Sequence, residues 1–355
     1  MTETSTPTLR PAMVAALGRV PDVLADATAR EGLLAVASAF PASLLAGPLG
    51  LELRLMGRPT VDVFASAVPR SEGFGSLVEA LQRPLGGTCW ADQSRAAGLA
   101  EVLQRWASGI GALPTVARYL LVEADAPSTT SAALAVPSIF LAPRAPRDRY
   151  LPGQPPNAFQ RQPEATTVAV AELSGVWPDP ATAQEFAAVA DALPEAADVF
   201  AVGAMVSRRA GSSMRVAVRR LDPDGIHRVL TVARLPRQAD TVAAWAAASP
   251  VADRAIAFEV GPGAESRVGL EVSPDHDWKE ARLEGWPALL DFVVTQGLAT
   301  PERAAVVTGL ADAAGDPIWG LAHVKIAADA AGPLPGSKLY VGLITRAALP
   351  PAQRN

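Results

Sequence analysis

The sequence predicts an α+β protein: a ten-stranded antiparallel barrel of β-hairpins surrounded by helices, with an open antiparallel sheet carrying helices on one face as the alternative. Three observations predict it. Apolar and charged side chains alternate in short segments, which is the period of a half-buried strand. The segments come in pairs joined by turn residues, as hairpins do. The pairs recur at roughly 50–70 residues with helical stretches between them, and such repetition favours a closed arrangement that leaves no sheet edge.

Taken in order, Val14 to Phe40 reads as one or two Ala-rich helices broken near Val20-Pro21. Hairpin one is Gly50 to Met56 with Thr60 to Ala65, turned by Gly57-Arg58-Pro59. Helices follow at Ser71–Leu81 and Ser94–Trp106, the second with Leu99, Val102, Leu103 and Trp106 at helical spacing. Hairpin two is Ala117–Ala124 with Ala133–Leu141 across a Ser/Thr turn. The Pro- and Arg-rich stretch at about 143–164 has no periodicity and reads as a long loop or lid. Thr166–Leu173 is a further strand candidate. Asp179-Pro180 places a cap before a first-turn proline and starts a helix to Leu193.

Hairpin three is Val199–Ser207 with Ser213–Leu221, turned at Ala210-Gly211. Helices near Ile226–Ala233 and Ala239–Ala248 lead to hairpin four, Arg254–Val260 with Arg267–Ser273, across Gly261-Pro262-Gly263. A helix from Trp286 to Gln296 stops at Gly297, and Thr300-Pro301 starts the next, through Leu310. Hairpin five is Ala322–Ala327 with Lys338–Thr345. The chain is thus read as a disordered tail over 1–10 and one barrel domain over 11–350.

The 355 residues are 49% hydrophobic, enough for a large core, and carry a net charge of −5. That balance argues against a general nucleic-acid binder, which needs a basic surface. No apolar run reaches membrane-spanning length and no secretory start is present. One cysteine, Cys89, excludes an intramolecular disulfide and a Cys-based zinc cluster. These features predict a cytoplasmic protein with no membrane insertion.

The informative feature is what alternates with the apolar residues. One strand face supplies Leu51, Leu53, Val61, Val63, Val216, Val218, Val268, Leu270, Val324, Ile326, Leu339 and Val341, expected to pack on helices. The other supplies Glu52, Arg54, Asp62, Arg215, Arg219, Glu259, Arg267, Glu271, His323, Lys325, Lys338 and Tyr340. In an open sheet that second face is simply solvated. In a closed barrel it lines the lumen, where charges must pair or meet a ligand. Cations on three hairpins suit an anion such as a diphosphate.

Glu52 on the first strand, Arg215 in Met-Arg-Val, Arg267 in Ser-Arg-Val-Gly-Leu-Glu, Lys325 in His-Val-Lys-Ile, and Lys338 with Tyr340 in Lys-Leu-Tyr-Val-Gly-Leu resemble the aromatic prenyltransferase (ABBA, or PT-barrel) family. The last hairpin also resembles uncharacterised bacterial proteins of natural-product gene neighbourhoods. The resemblance implies transfer of a prenyl group from an allylic diphosphate to an aromatic or peptide acceptor. It implies that Arg215, Arg267, Lys325, Lys338 and Tyr340 hold the diphosphate, and that Glu52 serves as base or orienter. Glu271, His323 and Trp319 are then the substrate-binding candidates. No cofactor and no metal is implied, because the cations do that work and no Asp-Asp-x-x-Asp motif occurs. The chain departs from the family in having only three tyrosines, Tyr119, Tyr150 and Tyr340. The alternative is a noncatalytic accessory protein of a biosynthetic pathway that binds a peptide, a small ligand or a protein partner.

Other motifs read as structural. Asp275-His276-Asp277 lacks a second histidine and fits a surface loop better than a metal site. Cys89 reads as a core residue rather than a nucleophile. Gly261-Pro262-Gly263 lies between strands, so it is no dinucleotide loop. Trp90, Trp106, Trp245 and Trp286 fall on helical faces or near them and are expected in the core.

Overall fold

A computed structural model describes residues 7–127, 133–144, 157–177, 179–205, 213–274, 284–312 and 318–344. Ten strands form the barrel: β1 (Leu49–Arg54), β2 (Val61–Ala67), β3 (Ala117–Ala124), β4 (Ser138–Pro143), β5 (Asp198–Ala204), β6 (Met214–Arg219), β7 (Asp253–Val260), β8 (Val268–Ser273), β9 (Ile318–Asp329) and β10 (Lys338–Ile344). Each pairs antiparallel with its neighbours in sequence, and β10 returns to β1 with Leu49 opposite Leu343 and Arg54 opposite Lys338. The sheet is closed, so the open-sheet alternative does not hold.

Every hairpin follows its own set of helices. These are α1 (Arg10–Leu17) and α2 (Ala27–Ala39); α3 (Glu72–Gln82), α4 (Gln93–Ala107) and the short α5 (Leu113–Val116); α6 (Ala158–Arg161), α7 (Pro163–Ser174) and α8 (Pro180–Ala192); α9 (Pro223–Val232) and α10 (Pro236–Ala248); α11 (Trp286–Thr295) and α12 (Pro301–Asp312). Local chemistry sets their starts. Asp26, Ser71, Asp92, Asp179 and Asp222 each accept a hydrogen bond from a backbone N–H two or three residues on, at 2.7–3.1 Å. Such a cap is worth about 1 kcal/mol, and Pro180 and Pro223 follow two of them at the first helical position.

The helices cover the outside of the barrel, and the core lies between them and the strands. All twelve apolar strand residues named above are buried there, as are Trp90, Trp106, Trp245 and Trp286. The alternate residues therefore face inward. This barrel has a dry outer wall and a polar interior, the reverse of a barrel whose lumen is its core.

Several expectations change. Thr166–Leu173 is not a strand but the body of α7. Thr166 and Thr167 donate their hydroxyls to the carbonyls of Gln162 and Pro163, at 2.9 and 2.8 Å, which satisfies them inside a helix. Pro163 starts that helix and Gly175, at φ 68°, ends it. The Pro/Arg-rich stretch is therefore helical from Ala158 onward, capped by Asn157. The second strand of hairpin two begins at Ser138, because Pro137 has no N–H to give to a ladder. Ala133–Leu134 instead pairs in parallel with Cys89–Trp90. Cys89 is exposed, not a core residue. At the start of the chain, Thr8 bridges to Pro41 and Leu9 is buried, so order begins before residue 10. The expected turn at Ala210-Gly211, the Asp275-His276-Asp277 loop, most of the Ser/Thr turn and residues 145–156 lie outside the described residues. Among the described residues, no helix is long and apolar enough to cross a membrane.

Candidate functional site

Closure places charged residues from distant parts of the chain side by side. Glu52 in β1 stands opposite Asp62 in β2 on one side and Tyr340 in β10 on the other. Tyr340 stands opposite His323 in β9, and Lys325 stands between Lys338 in β10 and Glu271 in β8. His323 shares the lumen face with Lys325 at period two, and a β-bulge between Leu321 and His323 shifts the register of β9 before it, so that Leu321 stands opposite Val341. The result is a polar band across five adjacent strands, β8, β9, β10, β1 and β2.

Two carboxylates anchor that band. Glu52, only 3% exposed, is ion-paired with Lys338 and accepts a hydrogen bond from the Tyr340 hydroxyl. Burial alone would raise its carboxyl. The Lys338 ammonium, the hydrogen bonds from Lys338 and Tyr340, and the more distant Lys325 overcome that and hold it at about 2. Glu271 accepts from Lys325 Nζ at 2.7 Å and lies 3.7 Å from His323 Nε2. Burial opposes its ionisation too, but Lys325, His323 and Arg215 hold it at about 2. Both are carboxylates at neutral pH.

The other members of the band are shifted the opposite way. Burial, and then the charge of Glu52, push Asp62 up to about 7; Asp125 adds to the rise, while the Ala126 N–H and Lys338 oppose it. Burial lowers His323 and Lys325, with Glu271 opposing in each case. Burial and the surrounding carboxylates raise Tyr340 well above the ordinary tyrosine range, so it remains a neutral hydrogen-bond donor.

Glycines make room for these side chains. Lys325 lies across Gly269, where an added Cβ would stand 2.6 Å from its Cε. The Phe64 ring covers Gly50, and a Cβ there would also meet Val341 O at 2.6 Å. Phe64, Tyr340 and His323 form an aromatic row, with ring centroids 5.7 Å and 4.2 Å apart and the last pair stacked. His323 Nε2 is buried without a hydrogen-bond partner.

At one end of the lumen the band opens into a small polar recess. Arg54, Arg215, Arg267, Lys325 and Lys338 line it together with Tyr340, and so do Glu123, Glu259 and Glu265. All five residues expected to hold a diphosphate therefore meet at one place. Glu271 and His323 lie beside them in the same band. Trp319 stands opposite Leu343 in the β9–β10 ladder, and its side chain lies outside the described residues. Glu52 is close to this recess through Lys338, but as an ion-paired carboxylate held at about 2 it is a weak base.

Sequence reasoning did not pick out Glu123 or the aromatic row. Glu123 stands opposite Phe64 and Ser138, on a strand whose inward positions also include Leu121, so a single charge there leaves little alternation to read. Phe64 is legible only with Gly50 opposite it: a lumen glycine facing an aromatic residue is the signal. Among the described residues no group of three or more His, Cys, Asp or Glu side chains gathers as a metal-binding set. No protein-family model matches the chain, and no curated protein matches it.

Proposed function

We propose that the recess binds the diphosphate of an allylic diphosphate, and that the barrel transfers the prenyl group to an aromatic or peptide acceptor in the lumen. The observation that carries this reading is the convergence of Arg54, Arg215, Arg267, Lys325 and Lys338 on one recess with Tyr340. Five cations and three carboxylates, Glu123, Glu259 and Glu265, line the recess, so the lining itself is net positive. Glu52 and Glu271, behind Lys338 and Lys325, hold those two cations until an anion competes for them. Fixed cations in such a recess stabilise a departing diphosphate as the C–O bond ionises. The Phe64 ring beside Tyr340 offers an apolar wall next to the anion site. The closed ten-stranded barrel is compatible with the PT-barrel fold that the sequence resembles. Glu52 then acts as an orienting carboxylate rather than a base.

A second reading is favoured by the pairing of Glu52 with Lys338 and of Glu271 with Lys325. A lumen whose charges already neutralise one another suits an accessory protein that binds an anionic ligand or peptide without turning it over. Titration with inorganic pyrophosphate and with C5 and C10 allylic diphosphates, read by thermal shift and calorimetry, tests both. Binding at one hundred times Kd stabilises by about 2.7 kcal/mol. The Arg267→Ala and Lys325→Ala variants are expected to weaken it at least tenfold each. Unchanged affinity in both variants refutes the recess assignment, and binding without pyrophosphate release in the presence of acceptors favours the accessory role.

A further inference from the structure

Lys338 belongs to two places at once. It lines the recess, and it is the cation ion-paired with Glu52. On the far side of Glu52, in direct register, stands Asp62. Asp62 is buried, and its Oδ1 accepts one hydrogen bond, from the Ala126 N–H at 2.9 Å. Among the described residues no ion pair neutralises it. The charged groups that act on it are Glu52 from β1, Lys338 from β10 and Asp125 from the segment after β3. Two of these three are carboxylates. Of these three charges Lys338 alone favours an ionised Asp62, and it is shared with an anion site.

We propose that an anion entering the recess draws a proton onto Asp62 by pulling Lys338 away from Glu52. The inference rests on the anion reading of the recess and adds a coupling to it. Two buried carboxylates in register cannot both stay ionised once their common cation is engaged elsewhere, because like charges at that separation repel strongly in a poorly solvated site. Glu52 keeps its hydrogen bond from Tyr340 and remains the carboxylate. Asp62 has only a backbone N–H, and takes the proton. The proton comes from solvent, an O–H bond forms on Asp62, and no other bond changes. Filling of the recess is then favoured at lower pH, and the lumen holds a carboxylic acid on the far side of Glu52 from the bound anion.

Calorimetry of inorganic pyrophosphate binding near pH 8, in two buffers of different ionisation enthalpy, counts the protons taken up. The ligand's own protonation cancels when variants are compared with the wild type. The wild type is expected to take up between one half and one proton more than Asp62→Asn. Glu52→Gln, which removes the repulsion and releases Lys338, is expected to bind pyrophosphate several-fold more tightly, also without the extra proton. Infrared spectra of the ligand-bound wild type should show a protonated-carboxyl band that Asp62→Asn lacks. Pyrophosphate that binds all three proteins with equal proton uptake overturns the coupling alone. Pyrophosphate that binds none of them overturns the diphosphate reading and the coupling together. The Glu52→Gln arm keeps the test decisive if the Asp62 variant does not fold.

Discussion

Replacing Asp62 by asparagine keeps the size of the side chain and the oxygen that accepts the Ala126 N–H, but removes its ionisation. The carboxyl lies at about 7 in the folded protein against an ordinary 3.8. Below the ordinary value it is protonated in both states and contributes nothing to pH dependence. Between the two values the unfolded chain gives up the proton and the folded chain retains it, so stability falls as pH rises; above about 7 the loss is complete. With roughly 1.4 kcal/mol per pH unit over that window, the wild type loses on the order of 4 kcal/mol between pH 4 and pH 8 through this one group. Glu52 and Glu271 act in the opposite sense. Their folded-state values near 2 contribute stability that is fully present above about pH 5 and is lost as pH falls through 2. His323, lowered by burial, contributes equally to wild type and variant and cancels in their difference. Urea unfolding at intervals from pH 4.5 to 8.5 reads the effect. Asp62→Asn is expected to gain on the wild type steadily up to about pH 7, reaching on the order of 2–4 kcal/mol, and to run parallel above it. Two curves that stay parallel from pH 4.5 to 8.5 refute the assignment of a buried, repelled carboxyl to this position.

Two further outcomes follow from the same contacts. Lys338→Met leaves Glu52 buried with only the Tyr340 hydroxyl, and should cost about 3–5 kcal/mol in urea unfolding, as breaking one side of a buried pair does. Adding Glu52→Gln should restore most of that loss, and a double variant no more stable than Lys338→Met alone would falsify the pairing. Gly50→Ala places a Cβ against the Phe64 ring and 2.6 Å from Val341 O. Because a backbone oxygen cannot swing aside, it should destabilise by about 1–3 kcal/mol and shift the near-ultraviolet aromatic signal.

The architecture was legible because burial in this protein follows a period of two. In β1 the sequence Leu51-Glu52-Leu53-Arg54 already separates the wall from the lumen, and the same separation in β6, β8, β9 and β10 assigned their charged residues to one face. Reading failed where another force sets local structure. Thr166, Thr167, Val168 and Val170 look like strand residues because they are β-branched. Yet Pro163 and Gly175 bound a helix, and two threonine hydroxyls bond back along it. Pro137, which delays the start of β4, and the bulge that shifts the register of β9 are further cases in which one residue overrides the pattern.

Pairing inside the lumen was not legible, for a reason that also governs the function. Alternation assigns each charge to a face but not to a partner; Glu52 and Lys338 are 286 positions apart and meet only because β10 closes on β1. A row of cations read along the sequence therefore overstates the free positive charge. Closure gives two of those cations, Lys325 and Lys338, to Glu271 and Glu52, and leaves Arg54, Arg215 and Arg267 at the mouth balanced against Glu123, Glu259 and Glu265. An anion that enters must compete with internal carboxylates for the two lysines, and the carboxylates it displaces need somewhere to put their charge. Asp62 lies next to the one that shares Lys338, with no cation of its own among the described residues. The ligand affinity of this lumen is thus set by how readily its own acids can be neutralised, as much as by the number of its cations.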